Sequence, residues 1–212
     1  MTGQTDPVLN SDDSPRVDGR YVPNQVRAVL FDRDGTLCVD VPYNGDPDRV
    51  EPVATAPAAL WRLRAAGVAT AVVSNQSGIG RGLVTGRQVD AVNRRLDALL
   101  GGLGPILVCP HAPDAGCPCR KPAPALLLAA ADRLGVHPGS CAFVGDIGSD
   151  MAAAAAAAMR GVLVPTPVTR AVEVAAAVEV APDLLTAVDR LLGDDPATRV
   201  ARVGPAARSG RS

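Results

Sequence analysis

Five short apolar runs, 27–31, 68–74, 106–109, 141–145 and 161–164, are built from Val, Leu, Ile and Ala with no polar alternation. A strand with one wet face alternates; a strand buried on both faces does not. Strands of that kind pair in parallel, and each crossover needs a helix. The intervening segments carry the matching signals. Gly67 closes a helix over 57–66, and Thr85-Gly86-Arg87-Gln88 opens another as a capping box, running to about residue 100. Further helices are expected over 124–134, ending at Gly135, from 149 through the alanines at 152–158, over 170–178 and over 182–192. The pattern predicts an α/β fold, a Rossmann-like doubly wound parallel sheet with its sites at the C-terminal strand ends.

At 212 residues the chain makes one sizeable domain, expected over 26–194. Residues 1–25 are polar and aperiodic and are expected to be a disordered N-terminal arm. Residues 195–212 hold Pro, Gly and four arginines and are expected to be a flexible, solvated tail. Lys plus Arg total 21 against 22 for Asp plus Glu, and a net charge of −1 excludes a protein built to grip nucleic acid backbone. Aromatics at 2% exclude base-stacking platforms. There is no run of 18 apolar residues and no basic-then-apolar leader, so a cytoplasmic protein without a membrane partner is expected. In a reducing compartment its five cysteines are metal ligands, catalytic thiols or core residues before they are disulfides.

The chemistry sits where the strands end. The first run leads into Asp32-Arg33-Asp34-Gly35-Thr36, two carboxylates two residues apart with a glycine for the tight turn. One carboxylate can attack or bind a metal while the other moves a proton. The second run ends in Ser74-Asn75-Gln76-Ser77, whose hydroxyls and amides suit phosphate oxygens. Lys121, in Arg120-Lys121-Pro122, can neutralise a phosphate and a carboxylate together. The fourth run ends in Gly145-Asp146, with Asp150 four residues on; hard ions such as Mg²⁺ take one or two carboxylates plus phosphate and water. Asp146 is the expected ligand, and Asp150 is open between supporting the site and capping a helix. Cys109, His111, Cys117 and Cys119 fall within eleven positions and match a closed tetrahedral zinc site of Cys₃His type, structural because no position is open. Cys141 is expected in the core. Cys38 has no histidine beside it and is not a catalytic thiol, and His137 faces solvent.

These motifs, in this order, resemble the haloacid dehalogenase superfamily. The cysteine–histidine loop running into Arg120-Lys121-Pro122 more narrowly resembles the D-glycero-D-manno-heptose 1,7-bisphosphate 7-phosphatase family and its histidinol-phosphate phosphatase relatives. The likeness spans about residues 27–165. It implies a Mg²⁺-dependent phosphatase working through an aspartyl-phosphate. Asp32 would be the nucleophile, Asp34 the general acid and base, Ser74 the phosphate-binding hydroxyl and Lys121 the charge stabiliser. Asp32, Asp34 and Asp146 would hold Mg²⁺. Asp40, Tyr43, Ser74, Asn75, Gln76, Ser77, Arg120 and Lys121 would line the substrate site. Ile147 departs from the lysine many members carry there and removes a charge near the metal. No large cap domain is expected, because no spare segment lies between 37 and 57 or between 82 and 105. The leading expectation is removal of the 7-phosphate in nucleotide-heptose biosynthesis by a monomer acting on a small phosphorylated sugar. Histidinol phosphate is the alternative substrate. A zinc-stabilised interaction module is the alternative of another kind, though a module has no reason to keep Asp32, Asp34, Ser74, Lys121 and Asp146.

Overall fold

The computed structural model describes residues 25–193. The expected arm (but for residue 25) and tail lie outside the described residues. The sheet has five parallel strands in the order β3-β2-β1-β4-β5: β1 Ala28–Phe31, β2 Ala69–Asn75, β3 Ile106–Cys109, β4 Cys141–Gly145 and β5 Arg160–Leu163. The helices are α1 Ala56–Ala65, the single turn α2 Ser77–Gly80, α3 Gly86–Leu100, α4 Ala125–Leu134, α5 Gly148–Ala156, α6 Ala171–Ala176 and α7 Leu184–Leu192.

All four residues of β1 are fully buried, which explains the unbroken apolar run. Val29 and Phe31 face one core with Leu60 and Leu63 of α1, Leu96 of α3 and Leu184 and Val188 of α7. Ala28 and Leu30 face the other, with Leu127 and Ala130 of α4 and Ala153 and Ala154 of α5. Each large aliphatic or aromatic side chain so buried contributes about 1.5–3 kcal/mol of transfer free energy. Two cores on opposite faces make the sheet doubly wound. The capping box on α3 forms as the sequence predicts: Gln88 N–H donates to Thr85 Oγ1 at 3.3 Å, and Thr85 N–H donates to Gln88 Oε1 at 2.8 Å.

Two boundaries differ from expectation. The alanine run does not stay helical to its end: α5 stops at Ala156, and Ala158 takes φ 55° to turn the chain into β5. The segment expected as one helix over 170–178 is helical only from Ala171 to Ala176. Beyond it the backbone turns to the free edge of β5, where Leu163 N–H donates to Glu179 O and Ala181 N–H to Leu163 O, each at 2.9 Å. Between β1 and α1 the chain forms only a short 3₁₀ turn, Pro47–Arg49, and isolated bridges, with no domain-sized insertion.

Candidate active site

Because β1 and β4 are neighbours in register, Phe31 opposite Val144, the chain leaves both at the same level. Asp32 N–H donates to Val144 O at 2.9 Å, which brings Asp32 beside Asp146. The carboxylates of Asp32, Asp146 and Asp150 lie within 4.8 Å of one another, all buried. Lys121 reaches them from the loop before α4: Nζ is 2.8 Å from Asp32 Oδ1, 2.8 Å from Asp150 Oδ1 and donates to Val73 O at 3.0 Å. Lys121 is thus ion-paired to two carboxylates and hydrogen-bonded to one carbonyl. Asp32 Oδ1 also accepts from Arg33 N–H at 2.7 Å. Gly35, at φ +78°, has no room for a side chain, since a Cβ there would strike Asp146 Oδ2.

The charges set the chemistry. Burial pushes Asp32 up to about 7 against the pull of Lys121, and Asp150 and Asp34 add to the push. Burial also pushes Asp146 up to about 7, helped by Asp32 and Asp150. Burial would push the Lys121 ammonium down, but Asp32 and Asp150 outweigh it and raise it. One cation among three buried carboxylates leaves a deficit of positive charge. That donor set of hard oxygens suits Mg²⁺.

Asp34 lies outside the trio. Arg33, fully buried, forks onto it with Nε at 3.0 Å from Oδ1 and Nη2 at 2.9 Å from Oδ2, and Gln76 Nε2 donates to Oδ2 at 2.7 Å. Arg33 Nη1 in turn donates to Asn93 Oδ1 on α3 at 2.8 Å. Gln76 Nε2 also donates to Ser74 Oγ at 2.8 Å. Asn75 does not face that group: its amide clamps the main chain of Lys121, donating to the carbonyl at 3.2 Å and accepting from N–H at 3.1 Å. Ser77 opens α2, half-buried. Asp40 is exposed at the rim, its carboxyl raised by partial burial and by Asp34. Tyr43, at φ 52°, is half exposed and accepts a hydrogen bond from Arg81 Nη1 at 2.7 Å. Arg120 is half-buried, and its Nη1 is buried without a hydrogen-bond partner. Sequence reasoning missed the roles of Arg33 and Asn93 and left Asp150 open. Asp150 does both things weighed for it, since its Oδ2 also accepts from the N–H groups of Asp146 and Ile147 at 3.2 Å each.

The second group is the loop after β3. Cys109, His111, Cys117 and Cys119 offer ligand atoms within 4.8 Å of one another. The sulfur–sulfur distances are 3.2–3.7 Å, and His111 Nδ1 is 3.2 Å from Cys119 and 3.7 Å from Cys109. A tetrahedral zinc with Zn–S about 2.3 Å and Zn–N about 2.0–2.1 Å has edges of roughly 3.5–3.8 Å. The four atoms come close to that cage, with the two contacts at 3.2 Å shorter than its edges. They do not fit a disulfide, whose sulfurs sit about 2.05 Å apart. The loop is tied to the site scaffold, because Gly80 N–H at the end of α2 donates to Pro110 O at 2.8 Å.

A paired-aspartate turn after β1, a buried lysine and an aspartate cluster after β4, all on this sheet, define a hydrolase of the HAD-like class. The HAD-hydrolase-like family model matches residues 118–191. The D-glycero-beta-D-manno-heptose-1,7-bisphosphate 7-phosphatase of Pseudomonas aeruginosa is 39% identical over 143 residues, 65% of this chain and 80% of that protein. The protein of the same name from Escherichia coli O6:H1 is 39% identical over 165 residues, 71% of this chain and 87% of its own length. The crystal structure of D,D-heptose 1,7-bisphosphate phosphatase from B. bronchiseptica, complexed with magnesium and phosphate, superposes with a TM-score of 0.71 at 30% identity, covering 80% of this chain and 99% of that one. The chain belongs to the D-glycero-D-manno-heptose 1,7-bisphosphate 7-phosphatase family and is a phosphoric monoester hydrolase.

Proposed function

We propose that this chain removes the 7-phosphate of D-glycero-D-manno-heptose 1,7-bisphosphate, with residues 26–194 as the catalytic domain of a cytoplasmic monomer. The observation that carries the mechanism is the buried Asp32–Lys121–Asp150 ion-pair cluster, with Asp146 beside it. The substrate assignment is supported by the relatives of that name. A reducing compartment agrees with four metal-ligating side chains of which three are free thiols.

Asp32 is the nucleophile. Its hydrogen bond from Arg33 N–H and its ion pair with Lys121 both fall on Oδ1, so among the described residues Oδ2 takes neither and is left to attack phosphorus. A new Asp32–phosphorus bond forms as the bond from phosphorus to the sugar oxygen breaks. Asp34 gives a proton to the departing sugar oxygen. It then takes one from the water that attacks the aspartyl-phosphate, which frees inorganic phosphate and restores Asp32. Arg33 and Gln76 orient Asp34 for both steps. Ser74 and Lys121 hold phosphoryl oxygens and offset the charge that develops on them. Asp32 and Asp146 would hold Mg²⁺, which supplies a Lewis acid for the phosphoryl group. Asp34 would share in that site by some atom other than its carboxylate, which Arg33 and Gln76 already occupy. Arg120, Asp40, Tyr43 and Ser77 would contact the sugar and its second phosphate; the unpartnered Arg120 Nη1 suits an anion. Cys109, His111, Cys117 and Cys119 would hold a structural zinc that fixes the approach of Arg120 and Lys121.

The test is phosphate release with Mg²⁺ from both heptose 1,7-bisphosphate anomers and from histidinol phosphate, on the native chain and on Asp32→Asn. The native chain should prefer a heptose bisphosphate, and the folded variant should release nothing. Preference for histidinol phosphate rejects the substrate. Turnover by Asp32→Asn near the native rate rejects the nucleophile.

A further inference from the structure

The peptide groups of Asp146 are held from two directions. Its N–H is taken by Asp150, and its carbonyl oxygen accepts a hydrogen bond from Thr169 Oγ1 at 2.7 Å, 23 residues further along the chain. Thr169 lies in the loop between β5 and α6. That loop starts beside the site, because Val164 N–H donates to Gly145 O at 2.8 Å. A hydroxyl has one proton to give, and here it goes to Asp146. The Thr169 oxygen then accepts from Thr166 N–H at 2.8 Å, while Thr169 N–H donates to Thr166 O at 3.0 Å. Thr166 and Thr169 thus close a small turn whose one outward bond, among the described residues, is the bond to Asp146.

The start of α6 grips the same loop a second time. Glu173 accepts from Arg170 N–H at 3.0 Å and from Arg170 Nη2 at 2.7 Å. The fixed carboxylate lies against Gly148, where a Cβ would come within 2.9 Å of Glu173 Oε1. Residues 166–173 therefore form a strap across the turn between β4 and α5. An aspartate has a short side chain, so its carboxylate goes where its main chain sends it. At Asp146 the slack is small, because Gly35 packs directly on Oδ2.

We propose that Thr169 is a positioning residue for Asp146 and thereby sets how tightly the site holds Mg²⁺. The inference rests on the reading of Asp146 as a Mg²⁺ ligand. Groups that orient a ligand from outside the metal's own shell typically cost about 10–100-fold in metal affinity when removed. Nothing in the strand-end motifs points to Thr169; only the fold brings it there.

Calorimetric titration of MgCl₂ into the full zinc-loaded chain tests this with native protein, Thr169→Val, Thr169→Ser and Asp146→Asn. Valine keeps the shape and loses the hydroxyl; serine keeps the hydroxyl. The expected result is a Mg²⁺ dissociation constant raised about tenfold or more in Thr169→Val, near native in Thr169→Ser, and the largest loss in Asp146→Asn. The thermal midpoint without Mg²⁺ is measured alongside. Native affinity in Thr169→Val with binding lost in Asp146→Asn overturns the proposal alone, as does a lowered midpoint with unchanged affinity. Equal weakening by valine and serine overturns it too. If Thr169→Val does not fold while Thr169→Ser folds and binds normally, the hydroxyl only holds the scaffold and the proposal fails. Native affinity in Asp146→Asn is a different failure, since it removes the metal assignment on which the inference stands.

Discussion

Replacing Lys121 with Met keeps the aliphatic stem and removes the ammonium from between Asp32 and Asp150. Both ion pairs are 2.8 Å long, and the lysine side chain is 1% exposed, so water does not fill the gap cheaply. Breaking a buried pair by removing one partner costs about 3–5 kcal/mol, because a buried charge is left uncompensated. Domains of this size are stable by about 5–15 kcal/mol in total, so the loss is large but compatible with folding. The carboxylates can escape part of it by taking up protons. Asp32 already sits at about 7 with the lysine present, and losing the cation pushes it higher. An acid with a raised folded pKa stabilises fully below its unfolded value and loses that contribution as pH rises through the folded value. The native loss ends near pH 7, whereas in the variant it continues above pH 7. The deficit of Lys121→Met is therefore expected to be larger at pH 8 than at pH 5.5 when both are unfolded in urea without Mg²⁺. Turnover should fall about 10²–10³-fold, the usual cost of one charge-stabilising donor. An equal deficit at both pH values, or turnover within about tenfold of native, refutes the reasoning.

The same carboxylates make Mg²⁺ binding pH-dependent. Asp32 and Asp146 are each raised to about 7, chiefly by burial, so below that they hold protons against the ion, and above it they repel each other until the ion arrives. The rise in thermal midpoint on adding Mg²⁺ should be larger at pH 8 than at pH 5.5, and an equal or reversed difference rejects Asp32 and Asp146 as the metal ligands. In the zinc loop, Cys119→Ser should lose zinc and thermal stability together; full zinc in the variant discards the assignment. Thiol titration of the folded native protein should find none reactive while zinc is bound, and Cys117 after chelation, since against the push of burial the hydrogen bonds from its neighbours bring it down to about 7. Cys38, Cys119 and Cys141 stay silent because each is pushed up to about 12, chiefly by burial. A reactive Cys38 or Cys141 in the chelated, folded protein contradicts that burial.

What could be read from the sequence was local. β1 and β4 were legible because full burial removes alternation, and the capping box at Thr85–Gln88 because both halves lie within one turn. Asp32, Ser74 and Asp146 could be picked out because each sits at or beside a strand end, and Lys121 because it stands just before a helix. The stop of α5 could not, since seven alanines in a row carry no stop signal and the break comes from the need to enter β5. Nor could the partners that hold the site. Arg33 meets Asn93 60 residues away, Asn75 clamps Lys121 46 away, and Thr169 holds Asp146 23 away. Such pairs leave no spacing pattern, because only the sheet order brings them together.

The charges around the site suggest an order of events. When ionised, Asp32, Asp146 and Asp150 carry three negative charges against one from Lys121, and Arg33 is already matched by Asp34. Two negative charges are left over in a buried space, where a phosphate dianion would meet repulsion rather than binding. A divalent ion cancels them. Phosphate can then enter a site with no net charge, drawn by Lys121. Substrate binding without Mg²⁺ should thus be weak and should tighten as pH falls below 7, where protons on Asp32 and Asp146 do part of the ion's work. Lys121 cannot supply that work by itself, because Asp32 and Asp150 already hold its single charge between them.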